Sequence, residues 1–192
     1  MLRGIIQTYR GEMLVSRNDA FYTLVRSIVG QQISVKAADS VWARFAQLTV
    51  DSGQATITHK AVAKLTDEAL RSCGLSGQKV SYMRALCDYF AHHRTAEKEW
   101  AAMNDGEVVR ELTSIRGIGR WSAEMFMIFH LGRPDVLPLT DIGLQKAMFL
   151  HYFNGKKVPL PTLRNHAERW APYRSVATWY LWRSLDPVPV SY

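Results

Sequence analysis

Apolar residues at Ala20, Phe21, Leu24, Val25, Ile28 and Val29 recur at the three- and four-residue steps that lay one apolar stripe along a helix. Asn18 or Asp19 supplies a side-chain oxygen to start that helix, and Gly30 ends it. Gln31 and Gln32 fall in the break, and Ser34 caps a second helix through Val35, Ala38, Val41, Trp42 and Phe45. Two helices thus flank a short polar corner. The segments HKAVAKL, DEALRSCG, KVSYMRALCDYFAHH and GEVVRELTSI carry the same helical signature, with Gly, Ser, Thr or Asn at their joints. Then come the apolar run SAEMFMIFHL, a loop punctuated by Pro134 and Pro138, and a further helix in DIGLQKAMFLHYF. A last helical pair, around TLRNHAERW and RSVATWYLWRSL, is parted by Pro172. Strand-like alternation is nearly absent, so the pattern predicts an all-α fold of about ten short helices. No repeat, low-complexity run or long linker marks a boundary, and a single domain over 1–192 is expected.

Composition narrows the function classes. The 192 residues are 47% hydrophobic, enough to bury a core. Twenty-four Lys and Arg against seventeen Asp and Glu leave a net charge of +7, which favours a polyanionic partner such as nucleic acid. Many soluble proteins are mildly basic, so charge alone does not decide the matter. Cys73 and Cys87 form no CxxC pair, and two cysteines cannot hold a four-cysteine iron–sulfur cluster. The six histidines lack metal-ligand spacing beside carboxylates or cysteines. The N-terminal stretch MLRGIIQTYRGEM has no sustained apolar run, and an intracellular, cytoplasmic protein is expected.

The densest chemistry lies in LTSIRGIGRWSAEMF, residues 112–126. One helix is expected over Glu107 to Ser114 and another over Arg120 to Leu131, leaving IRGIG as a very short connection and the hairpin at about 107–131. Gly117 and Gly119 permit positive φ and close approach to the backbone. Bare N–H groups at the start of the second helix, with its dipole behind them, suit a phosphate. Arg116, Gly117, Ile118, Gly119 and Arg120 are therefore the candidate phosphate contacts, although a GxG taken alone is more often just a tight turn.

This stretch resembles the helix-hairpin-helix motif, and the resemblance continues. LPLTDIGLQKA, residues 137–147, follows after a proline loop; LVRSIVGQQISVKAA, residues 24–38, precedes it; RWAPYRSVATWYLW, residues 169–182, closes the set. Together, over roughly residues 20–185, these segments are similar to the helix-hairpin-helix DNA glycosylases, in their 3-methyladenine DNA glycosylase II branch, without the extra N-terminal domain of larger members. The resemblance implies two helical lobes with a cleft between them. It also implies excision of alkylated purines (3-methyladenine, 7-methylguanine and similar) from double-stranded DNA by a monomer. The resemblance implies no required cofactor.

Residue by residue, the resemblance makes Asp141 the catalytic carboxylate, which can also serve as an ordinary helix N-cap. Strand-nicking relatives place a lysine two residues after the second hairpin glycine; Trp121 stands there, so a monofunctional enzyme using water is implied. Trp121, Met125, Trp182 and Tyr22 are the candidate base pocket, while Trp42, Trp100, Trp170 and Trp179 read as structural. A purine alkylated at N3 or N7 is cationic, and an indole face attracts cations. Gln32 becomes the wedge that fills the gap left by a flipped base, with Gln31 as its neighbour and Ser34 beside them. Arg174 and Ser175 are further candidates for phosphate or structural contacts. The main-chain carbonyls of Thr113, Ile115 and Gly117 match a site for a monovalent cation, Na+ or K+. Two other functions fit less of the chain: a non-catalytic helix-hairpin-helix DNA-binding module, and a glycosylase for another class of damaged base.

Overall fold

The computed structural model describes residues 1–12, 14, 19–53, 56–93 and 96–186, with only the backbone of residues 96 and 97. Asn18, the alternative cap, lies outside the described residues. The chain is all-α, and no strand occurs among the described residues. Its helices are α1 (Leu2–Thr8), α2 (Ala20–Gly30), α3 (Val35–Asp51), α4 (His59–Lys64), α5 (Asp67–Ser72), α6 (Gly77–His92), α7 (Ala96–Ala102), α8 (Asp105–Thr113), α9 (Arg120–Phe129), α10 (Ile142–Tyr152), α11 (Leu160–Ala167) and α12 (Arg174–Arg183). None of them is long and apolar enough to cross a membrane.

Two of these helices were not legible in the apolar pattern. α1 buries only Ile5, and Gly4 weakens it further. It is held by packing against α12 rather than by propensity. α7 is polar around one anchor, Trp100, which is fully buried.

The chain divides into two compact units, Arg17–Phe126 and Met1–Ser16 with Met127–Ser191. In the first, α6 is the spine against which α2, α4 and α5 pack, and α3 lies on α2. Phe21, Leu24 and Ile28 of α2, Phe45 of α3 and Met83 and Leu86 of α6 supply buried bulk. In the second, α12 packs on α1 and α10. Its core gathers Ile5, Leu144, Met148, Leu163, Trp170 and Leu181, among others. The division falls between Phe126 and Met127, inside α9. A helix interior carries no loop-like composition, so no linker signals the division in the sequence.

Helix starts follow side-chain chemistry. Asp19, Ser34, Thr58, Thr66, Ser76, Asn104 and Asp141 each accept a backbone N–H of the helix they precede. Asn104 and Glu107 form a reciprocal capping box that fixes the start of the first hairpin helix.

Candidate active site

In the unit Arg17–Phe126, α8 ends at Thr113 and α9 begins at Arg120. Ile115 and Ile118 are buried at 4% exposure each and pin the connecting turn, while Arg116, Gly119 and Arg120 are exposed. The two glycines have different causes. Gly117 sits at φ +93, and a Cβ there would lie 2.1 Å from Cγ of Tyr82, so the fold itself forbids a side chain. A Cβ on Gly119 would meet nothing within 4 Å. Gly119 accepts the first α9 bond, from Ala123 N–H at 3.0 Å, yet has no side chain to cover the amides that follow. Its bareness is not required by internal packing.

The corner between α2 and α3 belongs to the same unit. Lys79 Nζ donates to the Val29 carbonyl at 2.8 Å, and burial lowers its amine below the ordinary lysine range. Gln31 Nε2 donates to the Gly117 carbonyl at 2.9 Å and to Ser122 Oγ at 3.2 Å. Gln32 follows with φ 59, in the left-handed region, and is exposed. Ser34 Oγ accepts the Ala37 N–H at 3.3 Å, so its hydroxyl acts as the cap of α3. A pocket of about 740 Å³ opens here, lined in part by Gln31, Gln32, Lys79, Tyr82, Gly119 and Trp121.

The second unit holds Asp141, the N-cap of α10, at φ −71 and ψ 123. One carboxylate oxygen, Oδ1, accepts the Leu144 N–H at 2.6 Å and the indole Nε1–H of Trp182 at 2.8 Å. Trp182 is 7% exposed, and its ring stacks on Phe129 at 6.0 Å with an interplanar angle of 11°. Gly143 makes room for this arrangement: a Cβ there would lie 3.1 Å from both Asp141 Oδ1 and Trp182 Cδ1. A half-exposed carboxylate is thus locked by a main-chain donor and an indole donor. The two donors fix the direction of Oδ1 on the α10 cap.

The segment leading to Asp141 is fastened to the start of α12. Arg174 forks onto Asp135, Nε to Oδ1 and Nη2 to Oδ2, each at 2.8 Å, and this pairing lowers the Asp135 carboxyl below its ordinary range. Ser175 Oγ donates to the Arg133 carbonyl at 2.6 Å and accepts the Val136 N–H at 2.9 Å.

Residues 25–172 match the family model described as HhH-GPD superfamily base excision DNA repair protein. The chain belongs to that superfamily. It is 31% identical over 183 residues to DNA-3-methyladenine glycosylase 1 of Schizosaccharomyces pombe, covering 94% of this chain and 78% of that protein. Among solved structures, DNA-3-methyladenine glycosidase from Bacillus halodurans is 39% identical and superposes with a TM-score of 0.77, over 96% of this chain and 84% of that one. The S. pombe 3-methyladenine DNA glycosylase in complex with abasic DNA gives a TM-score of 0.84 at 27% identity, over 100% of this chain and 92% of that one.

Within this HhH-GPD protein the sequence-derived candidates divide as the units do. Asp141, Trp182, Arg174 and Ser175 lie in one unit; the hairpin, Gln31, Gln32, Ser34, Tyr22, Trp121 and Met125 lie in the other. Three candidates are engaged within the fold. Met125 is 0% exposed and fully buried. Ser175, also 0% exposed, spends its hydroxyl on the Arg133 and Val136 main chain and offers nothing to DNA. Arg174 is engaged by Asp135 and Glu168, which makes it a fastener of the proline loop. Tyr22 is half-buried, edge-on to Trp42 at 4.8 Å, and Trp121 is half-buried at the pocket. Arg120 donates to Glu124 at 2.9 Å while its side chain stays 71% exposed.

Four contributors escaped the sequence reading: Tyr82 under the hairpin, Lys79 at the corner, Gly143 beside Trp182, and Asp135. Gly143 carried a usable signal, a glycine in the first turn of an otherwise apolar helix. Tyr82 carried none, because its contact with Gly117 spans two helices.

Proposed function

We propose that the protein is an alkylbase DNA glycosylase that turns alkylated purines such as 3-methyladenine and 7-methylguanine out of duplex DNA and hydrolyses their N-glycosidic bonds, with Asp141 as the catalytic carboxylate. The observation that carries the reading is the doubly held Asp141 Oδ1, in a chain of the HhH-GPD superfamily. Cleaving the bond between sugar and base builds positive charge on the sugar. A carboxylate about 4 Å away, at an effective dielectric near 20, stabilises that charge by about 4 kcal/mol, or roughly a thousandfold in rate. Asp141 also orients the attacking water. The alkylated purine is cationic and leaves readily, so little acid catalysis is needed.

The indole of Trp182, beside Asp141, offers an electron-rich face to a cationic base. Trp121 offers another aromatic face from α9. The amides following Gly119 hold a backbone phosphate, with Arg116 and Arg120 adding charge whatever the local sequence. Gln32, projecting from its left-handed corner, fills the space left by the turned-out nucleotide. A monovalent cation would be held at the turn by the carbonyls of Thr113, Ile115 and Gly117. Ile115 accepts the Ile118 N–H and Gly117 the Gln31 amide, and each oxygen keeps a second lone pair for a hard cation. Such a cation would add positive charge at the phosphate contact.

Trp121 has no amine, so the product is an abasic site in an intact strand. The test is incubation with a duplex containing a single alkylated purine, followed by base analysis and gel separation before and after alkali. Free alkylated base with strand breakage only after alkali is the expected result. Strand breakage without alkali would overturn the monofunctional assignment, and absence of any released base would overturn the glycosylase reading for these lesions.

A further inference from the structure

We propose that Gln31 is a positioning residue that couples the wedge to the phosphate anchor, so that insertion at Gln32 and gripping of the strand at the hairpin occur as one event. The proposal rests on the glycosylase reading of these two elements. The corner is fixed from two sides. Lys79 of α6 holds the Val29 carbonyl in the last turn of α2, and Gln31 reaches the hairpin, 86 residues away in sequence. Its amide nitrogen has two hydrogens, and both have acceptors: the Gly117 carbonyl at 2.9 Å and Ser122 Oγ at 3.2 Å. The Gly117 carbonyl can only accept, which fixes the amide orientation. One acceptor belongs to the turn and the other to the first turn of α9, so a single side chain spans the turn that bears Gly119.

Two features make this more than packing. Gln32 immediately follows and sits at φ 59, a conformation that residues with a Cβ seldom adopt and that must be imposed by what flanks it. The Gly117 carbonyl is also fixed in direction, since Gly117 is wedged over Tyr82 at φ +93. A shift of the turn when a phosphate binds therefore moves the Gln31 amide, and with it the backbone that aims Gln32. Coupling of this kind needs a contiguous physical link between the two elements, and Gln31 is that link.

Binding to a duplex carrying a stable abasic-site analogue gives the test, because it reads anchoring and insertion without chemistry. Gln32→Ala and Gly119→Ala are measured singly and together in the native protein and again in a Gln31→Glu background, with thermal unfolding as a check of folding. Glutamate keeps the size of the side chain and removes the donor. In the native background the combined loss of affinity is expected to fall short of the product of the single losses by about fivefold or more. In the Gln31→Glu background it should equal that product to within about twofold. The same shortfall in both backgrounds, or none in the native one, overturns the proposal. If the carboxylate prevents folding, Gln31→Met removes the donor without adding charge and is judged by the same criterion. Failure of the native protein to bind the duplex at all would remove the glycosylase reading and this inference with it, whereas binding with unchanged coupling removes the inference alone.

Discussion

Asp141 shows how one residue serves structure and chemistry together. Capping α10 consumes an acceptor position on Oδ1, and the Trp182 indole takes another. The indole bond should therefore be felt in catalysis. Trp182→Phe keeps a ring stacked on Phe129 but removes the Nε1–H, and a hydrogen bond to a charged group is worth about 1.5–3 kcal/mol. Single-turnover base release is expected to fall about tenfold or more, together with a lower melting temperature because a buried indole and its bond are lost; an unchanged rate at a temperature where both proteins are folded would show that the indole does not orient the carboxylate. The sequence made Asp141 and Trp182 legible through the resemblance, since both are polar or aromatic residues in long specific segments. It could not show that they share one oxygen, nor that Gly143 permits it, because those facts depend on how α12 lies against α10. Met125 lies one turn after Trp121, and its full burial beside a half-buried Trp121 likewise depends on tertiary packing.

At the scale of elements, the hairpin separates a glycine required by the fold from one that the fold does not require. Gly117→Ala would force a Cβ to 2.1 Å from Tyr82 and place alanine at φ +93. A loss of more than about 2 kcal/mol of stability is expected, visible as a lower denaturation midpoint. Tyr82→Ala should relieve only the clash, leaving the backbone cost. Gly119→Ala should change stability by less than about 1 kcal/mol, since alanine is only a poorer N-cap than glycine, yet weaken binding to duplex DNA by crowding the amides. Equal effects of the two substitutions on stability would refute this division. The helices on either side were readable from apolar periodicity, and their caps from Ser, Thr, Asn and Asp. α1 and α7 were not, because among the described residues each has a single buried anchor and depends on partners distant in the chain. The wedge corner was readable as a break but not as a clamp: nothing local to Gln31 or Lys79 indicates which carbonyls they reach.

For the whole molecule, composition indicated a polyanionic partner through the net charge of +7, and the all-α class followed from the near absence of alternation. The resemblance implied two lobes, but the position of the division between the two units was not legible because it falls inside α9. Global stability should carry a pH signature. Burial pushes the Cys87 thiol from 9.0 up to about 11, with Arg84 opposing weakly. Between those values the unfolded chain loses a proton that the folded chain keeps, so stability is fully present below pH 9 and falls as pH rises toward 11. Urea midpoints across that window should fall less steeply in Cys87→Ala, and an equal slope would contradict the assignment. The central claim is that a fixed carboxylate at Asp141 drives base release, and Asp141→Asn tests it most directly. Asparagine can still accept from Leu144 and Trp182 through its amide oxygen, so the cap survives while the charge is lost. Release of alkylated purines from methylated duplex DNA, compared between the native and Asp141→Asn proteins at matched folding and DNA affinity, should fall roughly a thousandfold. Comparable release from both proteins would contradict the account.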